Sequence, residues 1–387
     1  MADAGHPSPA RPPRWTVLWA LAALCAALAG CGGGGGDGAS EREGKATRSP
    51  AAGAPTSASA RPLPSAAEPL LSDDLRSTAG DAGATAAVGL VFAGGRTVWS
   101  KAMGAARSAD AVFAVASITK TFVAVLTLRL AEQDRLRLDD EVGRWLGDDV
   151  HMSVRPVTIR QLLGHTSDIA DRLTPRLEAA LRDPGHRWTE RELLEAMRRA
   201  EDPQGAYVYA NSNYLLLGAI LRRASGLGTE ALLRREIAAP LDLRRTSFRR
   251  RAELADGIAG RGRLPSYAWG ELFTDGGMVS TAPDLARFLH ALVVERRLLP
   301  SRGLRQMLAP GPDGRYGLGI AEVSFVSGCD IYGHIGDLPG WSSAAAVDAR
   351  SGVAIVVLLR GATADDVADG SLLLLNTLRN QGVLTCG

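Results

Sequence analysis

Ser117 and Lys120 stand three residues apart in the stretch FAVASITK, which ends at Lys120. At this spacing two side chains lie on one face of a helix, so the lysine amine can reach the serine hydroxyl. A serine at the start of a helix also keeps its backbone N–H free to donate to an oxyanion. The pair therefore predicts a nucleophilic serine activated by a lysine, although a capping serine followed by a surface lysine gives the same pattern.

Lysine is rare in this chain, which makes its presence at position 120 informative. Of the 44 basic residues only Lys45, Lys101 and Lys120 are lysine, and arginine supplies the rest. A lysine amine can lose its proton at accessible pH, whereas an arginine cannot. The choice of lysine beside Ser117 therefore indicates a chemical requirement.

Two other pairs of residues could assist such a serine. Tyr209 and Asn211 are two residues apart in a predicted loop, where a tyrosine can relay a proton and an asparagine amide can hold a substrate carbonyl. His334 lies in a predicted strand, and Gly336 leaves room for a substrate along the edge of that strand. Taken separately, these patterns are also typical of an interface aromatic and of a hydrogen-bonded strand histidine.

The three motifs in this order resemble those of the penicillin-recognising serine hydrolases. S-x-x-K is followed by Y-x-N about 90 residues later and by H-x-G about 125 residues after that. The chain is most similar to the branch that holds class C β-lactamases, D-alanyl-D-alanine carboxypeptidases, D-aminopeptidases and related esterases. The resemblance extends over about residues 69–380 and includes the segments TIRQLLGHTS, YLLLG, GGMVST and YGLG.

This resemblance implies a role for each residue of the first two motifs. Ser117 would be acylated, Lys120 would help to deprotonate it, and Tyr209 would pass the proton to the leaving group. Asn211 would bind the substrate amide. Which of Lys120 and Tyr209 is the base stays open, because two such groups titrate as a coupled pair. We expect no cofactor.

The resemblance also implies that the substrate lies along the third motif, over His334, Ile335, Gly336 and Asp337. The backbone N–H groups of Ser117 and Asp337 would form the oxyanion hole. His334 stands where many relatives carry lysine, Ile335 replaces a hydroxyl residue, and Asp337 replaces a small one. The changes at 335 and 337 weaken the case for substrates that end in a free carboxylate, which include β-lactams and D-Ala-D-Ala peptides.

One further departure lies in the TIRQLLGHTS segment. Asp168 follows His165-Thr-Ser, where glycine is usual in that branch. The change concerns a turn and leaves the chemistry of the predicted site unaltered.

The leading functional hypothesis is a peptidase or amidase that acts on peptidoglycan-type D-amino-acid peptides, like a D-alanyl-D-alanine carboxypeptidase. A β-lactamase and a small-ester carboxylesterase of the same fold are close alternatives. A non-catalytic lipoprotein that binds cell-wall peptides or drugs is a different class, which the intact Ser117, Lys120 and Tyr209 argue against. The formal net charge of +2, with no isolated basic run, argues against nucleic acid as a partner. We expect a monomer with a small-molecule or peptide substrate.

Local patterns predict an α/β (α+β) fold around an antiparallel sheet. Apolar runs predict strands at both ends of the domain, with helical periodicity between them. One sheet, flanked by N- and C-terminal helices, would then carry an inserted helical subdomain over about 119–313. The strands are predicted over 84–92, 96–103, 316–326, 331–336, 342–347 and 353–359, and the main helices over 118–133, 189–200, 213–224, 282–297 and 365–379.

Residues 1–31 have the features of a bacterial lipoprotein signal peptide. Arg11 and Arg14 precede an apolar stretch that is too short to span a bilayer, and Leu28-Ala-Gly-Cys31 resembles the lipobox, whose cysteine is acylated. An ordinary signal peptide or a short anchor helix is the alternative. Residues 32–68 predict a disordered tether and 69–387 the hydrolase domain. The expected location is the cell envelope, with the lipid as the membrane contact.

Cys329 and Cys386 are the two cysteines beyond this signal. In an exported protein they can form a disulfide, and two buried thiols are the alternative. Neither cysteine lies near a second ligand at zinc-site spacing, and the six histidines are dispersed. No metal site is therefore predicted.

Overall fold

The computed structural model describes residues 63–171, 189–195, 197–248, 272–323, 328–338 and 340–386. They belong to one compact unit, Ser59–Gly387. The predicted signal peptide, its Cys31 and most of the predicted tether lie outside the described residues. Within the described ranges, no helix combines the length and apolar character that crossing a membrane requires. The first helix, α1 (Ala67–Asp81), begins two residues before the predicted start of the domain at 69.

The described residues form eight strands in two sheets. They are β1 (Ala86–Ala93), β2 (Arg96–Gly104), β3 (Phe113–Ala114), β4 (Val279–Ser280), β5 (Ala321–Glu322), β6 (Ile331–Leu338), β7 (Trp341–Asp348) and β8 (Ala354–Arg360). Six of them form an antiparallel sheet in the order β2–β1–β8–β7–β6–β5, and β3 pairs with β4. Because β1 pairs with β8, both ends of the domain complete one sheet, which confirms the predicted fold class.

Most of the regular elements between β2 and β5 are helices. The helices are α2 (Thr119–Glu132), α3 (Val142–Leu146), α4 (Ile159–Leu163), α5 (Glu190–Glu195), α6 (Asn211–Ser225), α7 (Thr229–Leu233), α8 (Ala282–Leu289) and α9 (Ser301–Leu308), and α10 (Ala364–Asn380) follows β8. The π-helical segments Arg234–Ala238 and His290–Val294 extend α7 and α8. The helix predicted over 189–200 ends earlier than expected, and the helix predicted from 213 begins two residues earlier.

The central strands of the sheet are covered on both faces. Helices α1 and α10 pack on one face, where Leu75 and Leu374 join the same apolar cluster as Val357. On the other face Leu358 packs with residues of the helical part, including Phe122. Burial on both faces explains why β8 is a continuous apolar run without polar alternation.

Of the strand predicted over 316–326, the described residues 316–323 form only the two residues of β5, and residues 324–326 lie outside the described residues. Gly317 and Gly319 let this backbone pass closely over helices, since a Cβ at 317 would overlap the carbonyl oxygen of Met307. Gly319 has a φ of +78° and lies against α2, where Thr121 Oγ1 donates to its carbonyl at 2.8 Å. The segment therefore binds the helix that follows Ser117 instead of continuing the sheet.

Cys329 and Cys386 are joined in a disulfide, the first of the two alternatives that the sequence leaves open. The bond links positions 57 residues apart, just before β6 and near the end of the described chain. A cross-link of this kind stabilises a fold chiefly by restricting the unfolded chain. In the folded protein the bond holds the C-terminal segment beside β6, the strand that carries His334 and Gly336.

Candidate active site

Ser117 lies in a single 3₁₀ turn, Ala116–Ile118, immediately before α2. Ala116 has a φ of 46°, a left-handed conformation that costs a non-glycine residue on the order of 1–3 kcal/mol. Strained residues of this kind cluster at active sites, where they fix a reactive group in place. The strained turn presents Ser117 half-buried, just ahead of the helix proper.

The edge of the sheet holds this turn, which we call the nucleophile turn, in place. From β7, Ser343 Oγ donates to the carbonyl of Val115 at 2.9 Å. On β6, a Cβ at Gly336 would overlap the same carbonyl oxygen and come within 3.0 Å of the Cβ of Ala116. The sequence predicts space for a substrate at Gly336, whereas in the structure the nucleophile turn occupies that space. The missing side chain at 336 therefore sets the position of Ser117.

Lys120 is completely buried in the first turn of α2. Its Nζ donates to Ser117 Oγ at 3.0 Å, to Asn211 Oδ1 at 2.8 Å and to the backbone carbonyl of Asp275 at 2.7 Å. Burial lowers the pKa of Lys120 to about 8, against the opposing charges of Asp275 and Asp171. About a tenth of the amine is therefore neutral at pH 7 and able to accept the proton of Ser117.

Tyr209 completes the group around the serine hydroxyl. Its phenol is hydrogen-bonded to Ser117, and its ring centroid lies 4.9 Å from Lys120 Nζ. Burial raises the pKa of Tyr209 well above the ordinary value, although the hydrogen bond to Ser117 acts in the opposite direction. The phenol therefore keeps its proton at neutral pH and can donate it.

His165 supports Tyr209 from behind the site, a role that sequence reasoning missed. The two ring centroids are 4.3 Å apart, and His165 Nδ1 accepts the backbone N–H of Ala210 at 3.2 Å. Burial and the charge of Lys120 keep the pKa of His165 well below 6.5, so its ring is neutral. The available signal was the TIRQLLGHTS segment, which the resemblance marks only as a connection.

The structure explains why aspartate is tolerated at position 168, where glycine is usual in that branch. Its φ of 56° is the left-handed backbone that favours glycine and that aspartate tolerates better than most residues. Its carboxylate accepts the backbone N–H groups of Gly205 at 2.8 Å and Gln204 at 3.2 Å. Asp168 therefore ties its turn to the segment that leads to Tyr209.

Asn211 is the first residue of α6 rather than a loop residue, which corrects the prediction. Its Oδ1 accepts from Lys120, and its Nδ2 donates to Asp171 Oδ2 at 3.1 Å. Among the described residues, Asn211 Nδ2 has this one acceptor, so its second N–H can donate to a substrate carbonyl. Asn211 thus bridges Lys120 and a carboxylate. Sequence reasoning missed Asp171 and Asp275 because no local pattern marks them.

His334 points from β6 towards the tyrosines of the site. Its Nε2 lies 3.1 Å from the hydroxyl of Tyr316, and its Nδ1 lies 2.6 Å from the carbonyl of Ile335, which places the ring proton on Nδ1. Burial and the charge of Lys120 lower the pKa of His334 to about 3. The ring is therefore neutral at pH 7 and offers a substrate carboxylate no positive charge.

Ile335 and Asp337 project to the face of β6 opposite His334, because side chains alternate along a strand. Ile335 pairs with Ala344, which belongs to the apolar cluster under α1 and α10. Burial, together with the two acidic residues in the first turn of α10, raises the pKa of the Asp337 carboxyl to about 6. The structure therefore gathers the other predicted site residues around Ser117 but places these two side chains on the far face.

The backbone of Asp337 nevertheless fits the predicted oxyanion hole. The carbonyl of Ile331 accepts from Val323 at 2.7 Å on the outer side of β6, the side away from β7. Backbone groups of a strand repeat their direction every second residue, so the N–H of Asp337 points to the same side. Beyond Gly333, none of the described strands covers this edge, and Gly336 packs there against the nucleophile turn.

Comparison with known proteins identifies a family and several relatives that are similar in sequence to this chain. Residues 71–378 match the family model described as Beta-lactamase. The chain is 25% identical over 191 residues to the D-alanyl-D-alanine-carboxypeptidase/endopeptidase AmpH of Escherichia coli K12, covering 46% of this chain and 48% of AmpH. It is 29% identical over 274 residues to the esterase EstB of Burkholderia gladioli, covering 55% and 67%. The chain spans about half the length of the curated relatives that it matches.

A solved structure is similar in fold over 78% of this chain. The D-stereospecific amidohydrolase from a Streptomyces species aligns with a TM-score of 0.66 at 27% identity, over 78% of this chain and 97% of that one. The family match includes Ser117, Lys120, Tyr209 and His334, which the structure brings to one site. The chain therefore belongs to the β-lactamase family of serine hydrolases.

Proposed function

We propose that this protein hydrolyses an amide or peptide bond of a D-amino-acid substrate through an acyl-enzyme on Ser117. The observation that carries the proposal is the position of Lys120 Nζ, 3.0 Å from Ser117 Oγ, with the Tyr209 phenol bonded to the same serine. A nucleophile, a base with a pKa of about 8 and a proton donor with a raised pKa therefore meet at one point.

The reaction follows from this arrangement in two halves. Ser117 Oγ bonds to the substrate carbonyl carbon while its proton passes to Lys120, and the backbone N–H groups of Ser117 and Asp337 hold the oxyanion. Tyr209 donates its proton to the leaving nitrogen as the C–N bond breaks, and Lys120 returns a proton to the phenol. Water then attacks the acyl-enzyme with the proton transfers reversed, which releases the acid and restores Ser117.

The names of two relatives support a D-amino-acid substrate. AmpH is a D-alanyl-D-alanine-carboxypeptidase/endopeptidase, and the Streptomyces protein is a D-stereospecific amidohydrolase. The charges at the site favour a substrate without a free carboxylate, such as an amide. His334 is neutral, and all three protons of Lys120 already have acceptors. A free carboxylate therefore finds no counter-charge among these described residues.

A small-ester hydrolase is the second candidate, because the same neutral site accepts an ester and EstB is a relative of that kind. A β-lactamase is less favoured, since β-lactams carry a free carboxylate. A non-catalytic binding lipoprotein would have no use for the hydrogen bonds that join Ser117 to Lys120 and Tyr209.

We expect the wild type to hydrolyse D-alanyl-D-alanine amide with a kcat/KM about tenfold or more above that for D-alanyl-D-alanine, measured by chromatography of the released products. The two substrates differ only in the free carboxylate, and one missing charge-assisted hydrogen bond is worth about 1.5–3 kcal/mol, or one to two decades. A wild type that prefers the acid would show that another residue holds the carboxylate. Faster turnover of a fluorescent penicillin or of a nitrophenyl ester than of every D-peptide amide would refute the proposed function.

A double variant provides the control for this preference. Ile335→Thr adds a hydroxyl at the exposed edge of β6, where Ile335 is 38% exposed, and Asp337→Gly removes a nearby negative charge. Because both side chains lie on the face of β6 opposite His334, we expect little change in kcat/KM for either substrate. A selective tenfold rise for the free acid would show that these positions do contact the carboxylate.

We also propose that the chain is exported as a lipoprotein, is acylated at Cys31 and acts as a monomer in the cell envelope. The lipobox and the apolar stretch before it support this location. Cys31→Ala should abolish metabolic labelling with a palmitate analogue and release the protein from the membrane fraction. Cys25→Ala, six residues upstream, should leave both unchanged. A Cys31→Ala variant that is still labelled would exclude this anchor.

A further inference from the structure

Two carboxylates beside Lys120 have an oxygen without a partner. Asp171 Oδ2 accepts from Asn211 Nδ2 at 3.1 Å, but Asp171 Oδ1 is buried and unbonded. Asp275 Oδ1 is likewise buried, and neither atom has a hydrogen-bond partner among the residues that the structure describes. Buried carboxylate oxygens are normally hydrogen-bonded, because leaving one bare costs the desolvation of a charged group. These two oxygens therefore indicate a binding partner that arrives with the substrate.

Lys120 does not serve as that partner. Its three protons are directed at Ser117 Oγ, at Asn211 Oδ1 and at the main-chain oxygen of Asp275, so neither carboxylate receives one. Lys120 and the two carboxylate groups interact through their charges only. Burial raises the pKa of the Asp275 carboxyl and the charge of Lys120 acts in the opposite direction, so a second cation beside the two carboxylates would stabilise their ionised form.

The position of the two aspartates indicates which cation of the substrate they would meet. Asp171 is separated from Lys120 only by the amide of Asn211, and Lys120 contacts Ser117 Oγ directly. In an amino-acid amide, the α-amino nitrogen is two bonds from the carbonyl carbon that the serine attacks. An α-ammonium carries one positive charge and up to three N–H donors, which matches two carboxylate oxygens that lack donors.

We propose that Asp171 and Asp275 bind the free α-ammonium group of the residue whose carbonyl Ser117 attacks. This inference rests on the proposed function and narrows it. The substrate is an N-terminal D-amino-acid residue in amide or peptide linkage. Acylation of its amine removes the positive charge that this subsite, formed by Asp171 and Asp275, recognises. The enzyme therefore cleaves after the first residue of a chain.

The test compares D-phenylalanine p-nitroanilide with its N-acetyl derivative at pH 7, where an α-amino group of ordinary pKa about 7.7–8.0 is mostly protonated. We expect the wild type to prefer the free amine by about 10- to 100-fold in kcat/KM, since the acetylated amine loses a charge-assisted interaction. Asp171→Asn keeps the shape and an acceptor for Asn211, and should reduce the preference to within about threefold. Asp275→Asn should reduce it in the same direction.

The matched control is Asp134→Asn, a change of the same kind at an exposed position just after α2, which should keep the wild-type preference. If the wild-type kcat/KM values for the two substrates differ by less than about threefold, the proposed ammonium site is wrong. It is also wrong if both Asp171→Asn and Asp275→Asn keep a tenfold preference for the free amine. If those variants do not fold, the wild-type preference alone decides. Fluorophosphonate labelling of the wild type distinguishes a failure of the proposed function from a failure of the ammonium site alone. An unlabelled and inactive protein refutes the proposed function itself, whereas a labelled protein indifferent to acetylation refutes only the subsite.

Discussion

Replacing Ser117 with alanine should abolish covalent labelling by a fluorophosphonate and lower kcat by on the order of 10⁴-fold or more. The change removes only Oγ, the atom 3.0 Å from Lys120 Nζ, from a half-buried side chain. The nucleophile turn is held by Ser343 and by the close packing of Gly336, which the substitution leaves intact. We therefore expect a folded protein with an unchanged far-ultraviolet circular dichroism spectrum.

The control for this variant is Ser108→Ala, which changes an exposed serine nine residues upstream. It should be labelled at the wild-type rate, as measured by in-gel fluorescence over time. Equal labelling of the Ser117→Ala variant and the wild type would move the nucleophile to another residue. A loss of labelling in both variants would point to a general effect on the fold.

Lys120→Arg should be nearly as damaging as Lys120→Ala, with kcat/KM reduced by about 10²–10⁴-fold in both. The larger guanidinium has to enter a fully buried position whose three acceptors lie 2.7–3.0 Å from a single nitrogen. It also stays protonated at every accessible pH, so it cannot take the proton of Ser117. Lys101→Arg, on β2, should leave kcat/KM unchanged.

The pH profile of the wild type is the second measurement on these variants. Because burial brings the pKa of Lys120 to about 8 and the neutral amine is the active form, kcat/KM should rise about tenfold per pH unit below 8. With a substrate that carries no titrating amine, kcat/KM should level off above that pH, since the base is then fully deprotonated. The residual rates of the two variants should lack this rise. A wild-type profile that is flat from pH 6 to 9, or an arginine variant with more than about a tenth of wild-type activity, would reduce Lys120 to an electrostatic role.

Local sequence patterns were sufficient where the relevant contacts are local. Ser117 and Lys120 are one helical turn apart, so their contact follows from spacing alone. Residues 353–359 are all apolar and lie between Gly352 and Gly361, which marks them as a buried strand. The placement of Tyr209, Asn211 and His334 beside this pair came from the family resemblance, because their distances along the chain carry no geometric information.

Tertiary packing determined what the sequence could not show. Asp171 and Asp275 meet Lys120 from two separate segments, and neither belongs to a recognisable motif. The segment after Tyr316 has the composition of a strand, but the close approach that Gly317 and Gly319 permit places it over helices instead. The left-handed backbone of Ala116 depends on contacts from β6 and β7, which lie more than 200 residues further along the chain.

The pairing of β1 with β8 has a consequence for the order in which the molecule is made. Ala86 pairs with Arg360, so the first and the last strands of the domain lie side by side in the sheet. Contacts between such distant positions raise the contact order, which slows folding because a long loop must close before the pairing is gained. A nascent chain that has not yet supplied β8 lacks the strand on which both β1 and β7 depend. The strand register that fixes the nucleophile turn thus forms only after β8 has been synthesised, and a chain terminated before β8 lacks an active site.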